Sequence, residues 1–261
     1  MKFMSILALF YSLHTFASEL ELPTCEMENK LVTPITFFAP ESLREEYEDS
    51  AVKFVIEGMV SKSNEILDNS CIPMQRELKE IIYVSGFDTE IFQDIYAAGN
   101  YIDYYYEDKV SQIQRSHSEF YGLVVSTTYS DFELEYCGAT DVSANDRFFV
   151  VDMHCPKMVL EHELGHLAWA MHDMDTLAEQ GLSLYELDDV VPFYDRDKAK
   201  SYAFAYQCGG KGTVMSYAED YIPVYSSPDI KHNGVVCGDP DFANNAKVLR
   251  DYALERLGEK P

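Results

Sequence analysis

Three of the chain's seven histidines fall in one short segment, His162-Glu163-Leu164-Gly165-His166-Leu167-Ala168-Trp169-Ala170-Met171-His172. On a helix, positions four apart share a face, so His162 and His166 can offer two imidazole nitrogens to one metal ion, with Glu163 beside them. That grouping suits hydrolysis of an unreactive bond. A peptide carbonyl is a weak electrophile and water a weak nucleophile. Zinc held by three protein ligands, with one position open, polarises the carbonyl and lowers the pKa of its water to about 7. Glu163 then stands where a general base must be. An ordinary helix with exposed histidines would carry the same short pattern, so the third histidine decides more. His172 lies ten residues past His162, and an unbroken helix would rotate it about 80° off the shared face. It reaches the same ion only if the chain turns sharply after His166. The carboxylates of Asp173, Asp175 and Glu186 are the other candidates for a third ligand, and a degenerate site with weak or no metal is a further alternative.

The segment resembles the HExxHxxGxxH zinc signature, with trailing Asp173, of the metzincin metallopeptidases. Gly212-Thr213-Val214-Met215-Ser216-Tyr217 is similar to their Met-turn. Tyr225-Ser226-Ser227-Pro228, Cys237-Gly238-Asp239 and Asn244-Asn245-Ala246 resemble the end of the bacterial reprolysin-like, adamalysin-related branch. The resemblance is specific over about residues 150–250 and extends upstream only as strand and helix order. It implies His162, His166 and His172 as ligands of Zn2+, Glu163 as general base, and Met215 as an apolar floor beneath the metal. It also implies Tyr217 as a fifth ligand or oxyanion partner. Trp169 stands where the family has the glycine of the turn. A left-handed backbone at a tryptophan costs about 1–3 kcal/mol, which a chain tied by disulfides can bear. Glu186 has the spacing of a thermolysin-like ligand, but its neighbours Tyr185, Leu187 and Asp188 do not match that helix motif, and those enzymes lack the Met-turn.

The elements that must hold these residues are read from periodicity. Leu31–Phe38 is a β-prone run in which Pro34 points to an edge strand. Ser42 and Glu45 make a capping box for a helix reaching about Asp68, with Leu43, Tyr47, Ala51, Val55 and Met59 on one face. A second strand covers Glu80–Val84. A helical stretch spans 89–115, breaking at Gly99-Asn100, with Tyr101, Tyr104, Tyr105 and Tyr106 as a packed face. Tyr121–Thr128 is a buried strand, followed by a hairpin through Phe132–Cys137 and Phe148–Asp152. Asp239-Pro240 starts a last helix that Gly258 closes. Strands alternating with helices imply an α/β (α+β) sheet layer. With the resemblance, the expected architecture is a metzincin-like zincin: a twisted mixed sheet with helices above an active-site helix, then an irregular lower lobe ending in a helix. Gly209-Gly210-Lys211-Gly212 lacks the order of a phosphate loop and reads as a turn. His154 and Cys155 read as loop and disulfide, and His232 as a solvent-exposed loop residue.

Composition bounds the rest. The 261 residues are 47% hydrophobic and carry a net charge of −25, enough to bury a core but repellent to phosphate backbones and anionic membranes. Nucleic acid and lipid headgroups are therefore poor partners, no stretch reads as long and apolar enough for membrane insertion, and a peptide or protein substrate, met by a monomer, is expected. Residues 1–17 read as a signal peptide, leaving 18–261 as one catalytic domain with an upper lobe over about 30–172 and a lower lobe over about 173–261. A secreted or periplasmic chain with six cysteines favours three disulfides, and pairing in sequence order gives Cys25–Cys71, Cys137–Cys155 and Cys208–Cys237. The reading is thus an exported zinc endopeptidase, or alternatively a catalytically degenerate metzincin-like binding module. Peptide mapping of an unreduced digest is expected to return those three pairs, and any other pairing contradicts them.

Overall fold

The computed structural model describes residues 20–27, 29–86, 94–126, 137–182 and 191–259. The signal-peptide segment, the strand end beyond Ser126, the hairpin arm at Phe132, and Glu186 lie outside them. Five strands form the main sheet in the order β3-β2-β4-β6-β5: β2 (Leu31–Pro40), β3 (Met74–Val84), β4 (Phe120–Val125), β5 (Gly138–Ala139) and β6 (Phe148–Asp152). β3, β2, β4 and β6 are parallel, and β5 runs antiparallel to β6. Parallel neighbours need crossovers, which α1 (Leu43–Glu46) and α2 (Asp49–Asn69) provide between β2 and β3. The helices α3 (Ile95–Tyr105) and α4 (Glu107–Arg115) do the same between β3 and β4.

Alternation along the strands feeds two cores. Phe37, Phe149 and Val151 face α2 and the helix α5 (Val159–His166), packing on Ile56, Met59, Leu160 and Leu164. Their neighbours Phe38, Phe148 and Val150 face α3 and α4, packing on Ala98, Ile102, Val110 and Ile113. A third cluster lies under α5, where Met215 and Tyr225 meet Ala246, Leu249 and Ala253 of the final helix α7 (Asn245–Leu257). The remaining elements are α6 (Met174–Glu179), the hairpin of β7 (Gln207–Cys208) and β8 (Lys211–Gly212), and a small sheet of β1 (Leu20–Glu21), β9 (Ser227–His232) and β10 (Val235–Cys237). The fold is a mixed α/β one, as the pattern implies. The three disulfides join Cys25–Cys71, Cys137–Cys155 and Cys208–Cys237. No helix among the described residues is long and apolar enough to cross a membrane.

Several expectations need correction. β2 is an interior strand, paired with β3 along its length. Pro34 is tolerated because pairing with β4 starts only at Ile35, so one flank of the strand asks for no hydrogen bond there. The helix expected from Ser42 is two helices separated by extended backbone at Tyr47 and Glu48, and the Ser42 side chain makes no cap bond. Arg44 spans the break, bonding Glu41 and Asp49. The 89–115 stretch breaks at Tyr106, not at Gly99. Of its tyrosines, Tyr104 and Tyr105 are exposed, whereas Tyr106 packs on Phe38. β3 begins at Met74, six residues before the Glu80 start expected. The last helix is capped by Asn244, whose side chain accepts from Lys247 N, while Asp239 instead heads a turn through Asp241 and Phe242. His232 is buried in β9, with Nδ1 donating to the Cys208 carbonyl.

One buried ion pair ties the sheet to α5. Arg76 of β3 donates from Nε and Nη2 to the two carboxylate oxygens of Glu161, at 3.0 and 2.9 Å, and from Nη1 to Thr33 Oγ1. The Tyr225 hydroxyl lies 2.9 Å from Glu161 Oε1 and 2.8 Å from its carbonyl oxygen. Both charged side chains are essentially inaccessible to water. Breaking such a pair strands a charge. Arg76→Leu should therefore cost about 3–5 kcal/mol in chemical denaturation, and replacing both partners with leucine should cost clearly less. Equal losses for the single and double variants would contradict this assignment.

Candidate metal centre

α5 presents His162 and His166 on one face, and the chain reverses after it. Trp169 N–H donates to the His166 carbonyl at 2.8 Å and Ala170 N–H to the Gly165 carbonyl at 3.0 Å. Trp169 sits between them at φ 68°. This is a Schellman cap, with a tryptophan at the left-handed position that glycine usually fills. The returning strand is pinned by Met171 N–H donating to the Ala203 carbonyl and Ala205 N–H donating to the His172 carbonyl.

That reversal brings His172 onto the other two histidines. Their Nε2 atoms form a near-equilateral triangle with sides of 3.1 Å (162–172), 3.2 Å (162–166) and 3.0 Å (166–172). Nitrogens about 2.0–2.1 Å from one ion make such a triangle when the ion stands just off their plane. Each opposite nitrogen meets a carbonyl oxygen: His162 Nδ1 meets Val214 O at 2.8 Å, His166 Nδ1 meets Ala170 O at 2.9 Å, and His172 Nδ1 meets Gln180 Oε1 at 3.3 Å. A carbonyl oxygen only accepts, so each Nδ1 carries the proton and each Nε2 turns a lone pair inward. This cluster could bind a metal.

The surroundings favour neutral rings. Burial, and then the neighbouring imidazole of His172, lowers the His162 pKa to about 3. His166 is held well below its usual value by burial and by both neighbours, and His172 is lowered by burial. Glu163 is likewise buried, and desolvation raises its pKa to about 8. Its carboxylate lies against Gly138 of β5, where a Cβ would come within 2.6 Å of Oε1. Below α5, Met215 is fully buried, and a Cβ on Gly165 would come within 2.7 Å of its Sδ. Only glycine lets these close approaches stand. The Tyr217 ring lies 4.7 Å from that of His172 and 5.7 Å from that of His162, and it is half exposed.

Asp173 points elsewhere. Its carboxylate caps α6, accepting from Asp175 N, Thr176 N and Thr176 Oγ1. Asp175 is exposed and is not among the described residues that converge with the two helix histidines. Residues missed from sequence were the carbonyls of Val214 and Ala170, which carry no side-chain signal, and Gln180, eight positions past His172. Two hollows flank the triad. One, of about 520 Å³, is lined by His162, Glu163, Met158, Tyr217, Glu219 and Tyr221. The other, of about 510 Å³, lies beside His166 and His172. Ala218, between Tyr217 and Glu219, lines the first as well.

The shifts carry a sign that can be tested without metal. A histidine depressed in the folded chain takes up its proton on unfolding, so its stabilisation is complete above about pH 6.5 and is lost as pH falls. Glu163, raised in the folded chain, has the opposite slope between its ordinary value and about 8. Metal-free Glu163→Gln protein should therefore gain unfolding free energy from pH 5 to 7 more steeply than metal-free wild type, by up to about 1.4 kcal/mol per pH unit. Identical slopes would contradict the burial of these groups.

No protein-family model and no curated protein matches the chain. Among solved structures, a chain from the structure of a chaperone-substrate complex is similar over 89% of this chain at 15% identity, with a TM-score of 0.61. Metalloproteinase-II from Bacteroides fragilis aligns over 83% of this chain at 12% identity, with a TM-score of 0.39. The present chain covers 36% of the first structure's chain and 56% of the second's. The first likeness is one of fold alone.

Proposed function

We propose that the protein is an exported, zinc-dependent endopeptidase of metzincin type. The observation that carries this reading is the set of three inward Nε2 lone pairs, each fixed by a carbonyl partner on the far nitrogen. Neutral imidazoles that each give one nitrogen suit zinc, with room left for water and substrate. When bound, zinc supplies a Lewis acid that polarises the scissile carbonyl and acidifies water.

The chain's own groups do the rest. Glu163, one residue from the first ligand, takes the proton of the attacking water and delivers it to the leaving amine. Its low-dielectric setting keeps its basicity near that of the groups it serves, so the proton can move both ways. Tyr217, half exposed beside the histidines, reaches toward the carbonyl oxygen as charge develops there. Met215 holds the floor under the ligands and the Schellman turn holds the third. The substrate lies extended beside β5, the terminal strand of the sheet among the described residues. Three disulfides accord with an oxidising compartment, and residues 1–17 would direct the chain there.

Zinc-loaded Glu163→Gln should bind the metal as wild type does and lose at least about 10²-fold in peptide hydrolysis. Hydrolysis within a few-fold of wild type would remove Glu163 from its role, and chelator-insensitive turnover by wild type would remove the metal.

A further inference from the structure

The triad divides the cleft, and chemistry sets which half of a substrate lies on each side. Glu163 lines the 520 Å³ hollow and not the other. The proton it hands on goes to the leaving amine, which belongs to the residue after the scissile bond. The carbonyl side of the peptide therefore passes His166 and His172 into the 510 Å³ hollow. β5 and its continuation agree, since Gly138 lines the first hollow and Thr140 the second. An extended peptide running from the second hollow to the first would be antiparallel to that edge.

Resting on the peptidase reading above, we propose that the second hollow is a specificity pocket for a large apolar or aromatic side chain on the carbonyl side of the scissile bond, with Trp169 as a principal wall. Tyr96, Val142, Met171, Val191 and Pro192 contribute to its apolar lining. Most of the polar groups there are already engaged. Tyr96 OH donates to Asp141, whose carboxylate also accepts from Ser143 N and Ala144 N. Thr140 Oγ1 donates to the Phe148 carbonyl, and Gln180 accepts from His172. What remains is mostly ring and aliphatic surface, which rewards burial of apolar groups and gives charged ones little in exchange for their hydration. The same left-handed turn that delivers His172 carries the indole into this wall. Lys198 Nζ lies over the ring, 5.5 Å from its centroid, beside a further hollow that Trp169 also lines. The residue that strains the turn thus doubles as a reader of substrate.

Trp169 is the chain's one tryptophan, so its emission reports on the pocket directly. Zinc-loaded Glu163→Gln protein is titrated with N-acetylated tripeptides Ala-Ala-Xaa, Ala-Xaa-Ala and Xaa-Ala-Ala, where Xaa is Phe, Leu, Gly or Lys. At one position, Phe and Leu should bind about tenfold or more tighter than Gly and Lys, and the Trp169 emission should shift to shorter wavelength. Tyr96→Ala in the same background should remove most of that preference. Equal affinities for all four, a preference for Lys, or tight binding with unmoved emission would overturn the pocket. Hydrolysis by zinc-loaded wild type is assayed separately to tell the two readings apart. Selective binding without turnover would overturn the peptidase and keep an apolar side-chain pocket, whereas turnover without selectivity would do the reverse.

Discussion

Three nitrogen lone pairs that face one another at 3.0–3.2 Å repel unless a cation stands among them. Nothing in the ring chemistry relieves this, because each far nitrogen is committed as a donor to a carbonyl oxygen. The rings are also too buried to become charged easily. The cluster could bind a metal ion, which would relieve that repulsion. The geometry of the site serves that constraint: a short helix for the first two histidines, a reversal for the third, and carbonyls to hold each tautomer.

The scaffold around the triad is arranged to keep that geometry. Glu161, adjacent to His162, is locked between Arg76 of β3 and Tyr225 of the cluster beneath α5, so α5 is held by the sheet and by that cluster at once. The Cys137–Cys155 bridge joins the start of β5 to the loop that leads into α5, fixing the cleft edge relative to the helix that carries His162, Glu163 and His166. Cys208–Cys237 ties the small hairpin to β10. Constraints of this kind limit the unfolded ensemble and offset the strain of a tryptophan at positive φ.

The helix pair His162 and His166, the buried strands and the disulfide order were legible because they rest on local spacing and on residue type. The reversal after His166 was legible only as a requirement, since Trp169 argues against the conformation it adopts. Pro34, Ser42 and Asp239 misled for a shared reason: each carries a strong local rule that neighbouring groups overrule. Pro34 sits where one flank of its strand is unpaired, Ser42 heads a helix that Tyr47 ends, and Asp239 spends its carboxylate on a turn. The buried Arg76–Glu161 pair, 85 positions apart, leaves no trace in local pattern. Neither do the carbonyls that orient the imidazoles, because every residue has one.

The most direct test of the account is zinc X-ray absorption on the purified chain, read together with metal content. One zinc per chain, with three imidazole nitrogens at about 2.0–2.1 Å and one imidazole fewer in His172→Ala, is the expected result. A site with only two imidazoles in wild type, or a chain that takes up no zinc, would contradict it.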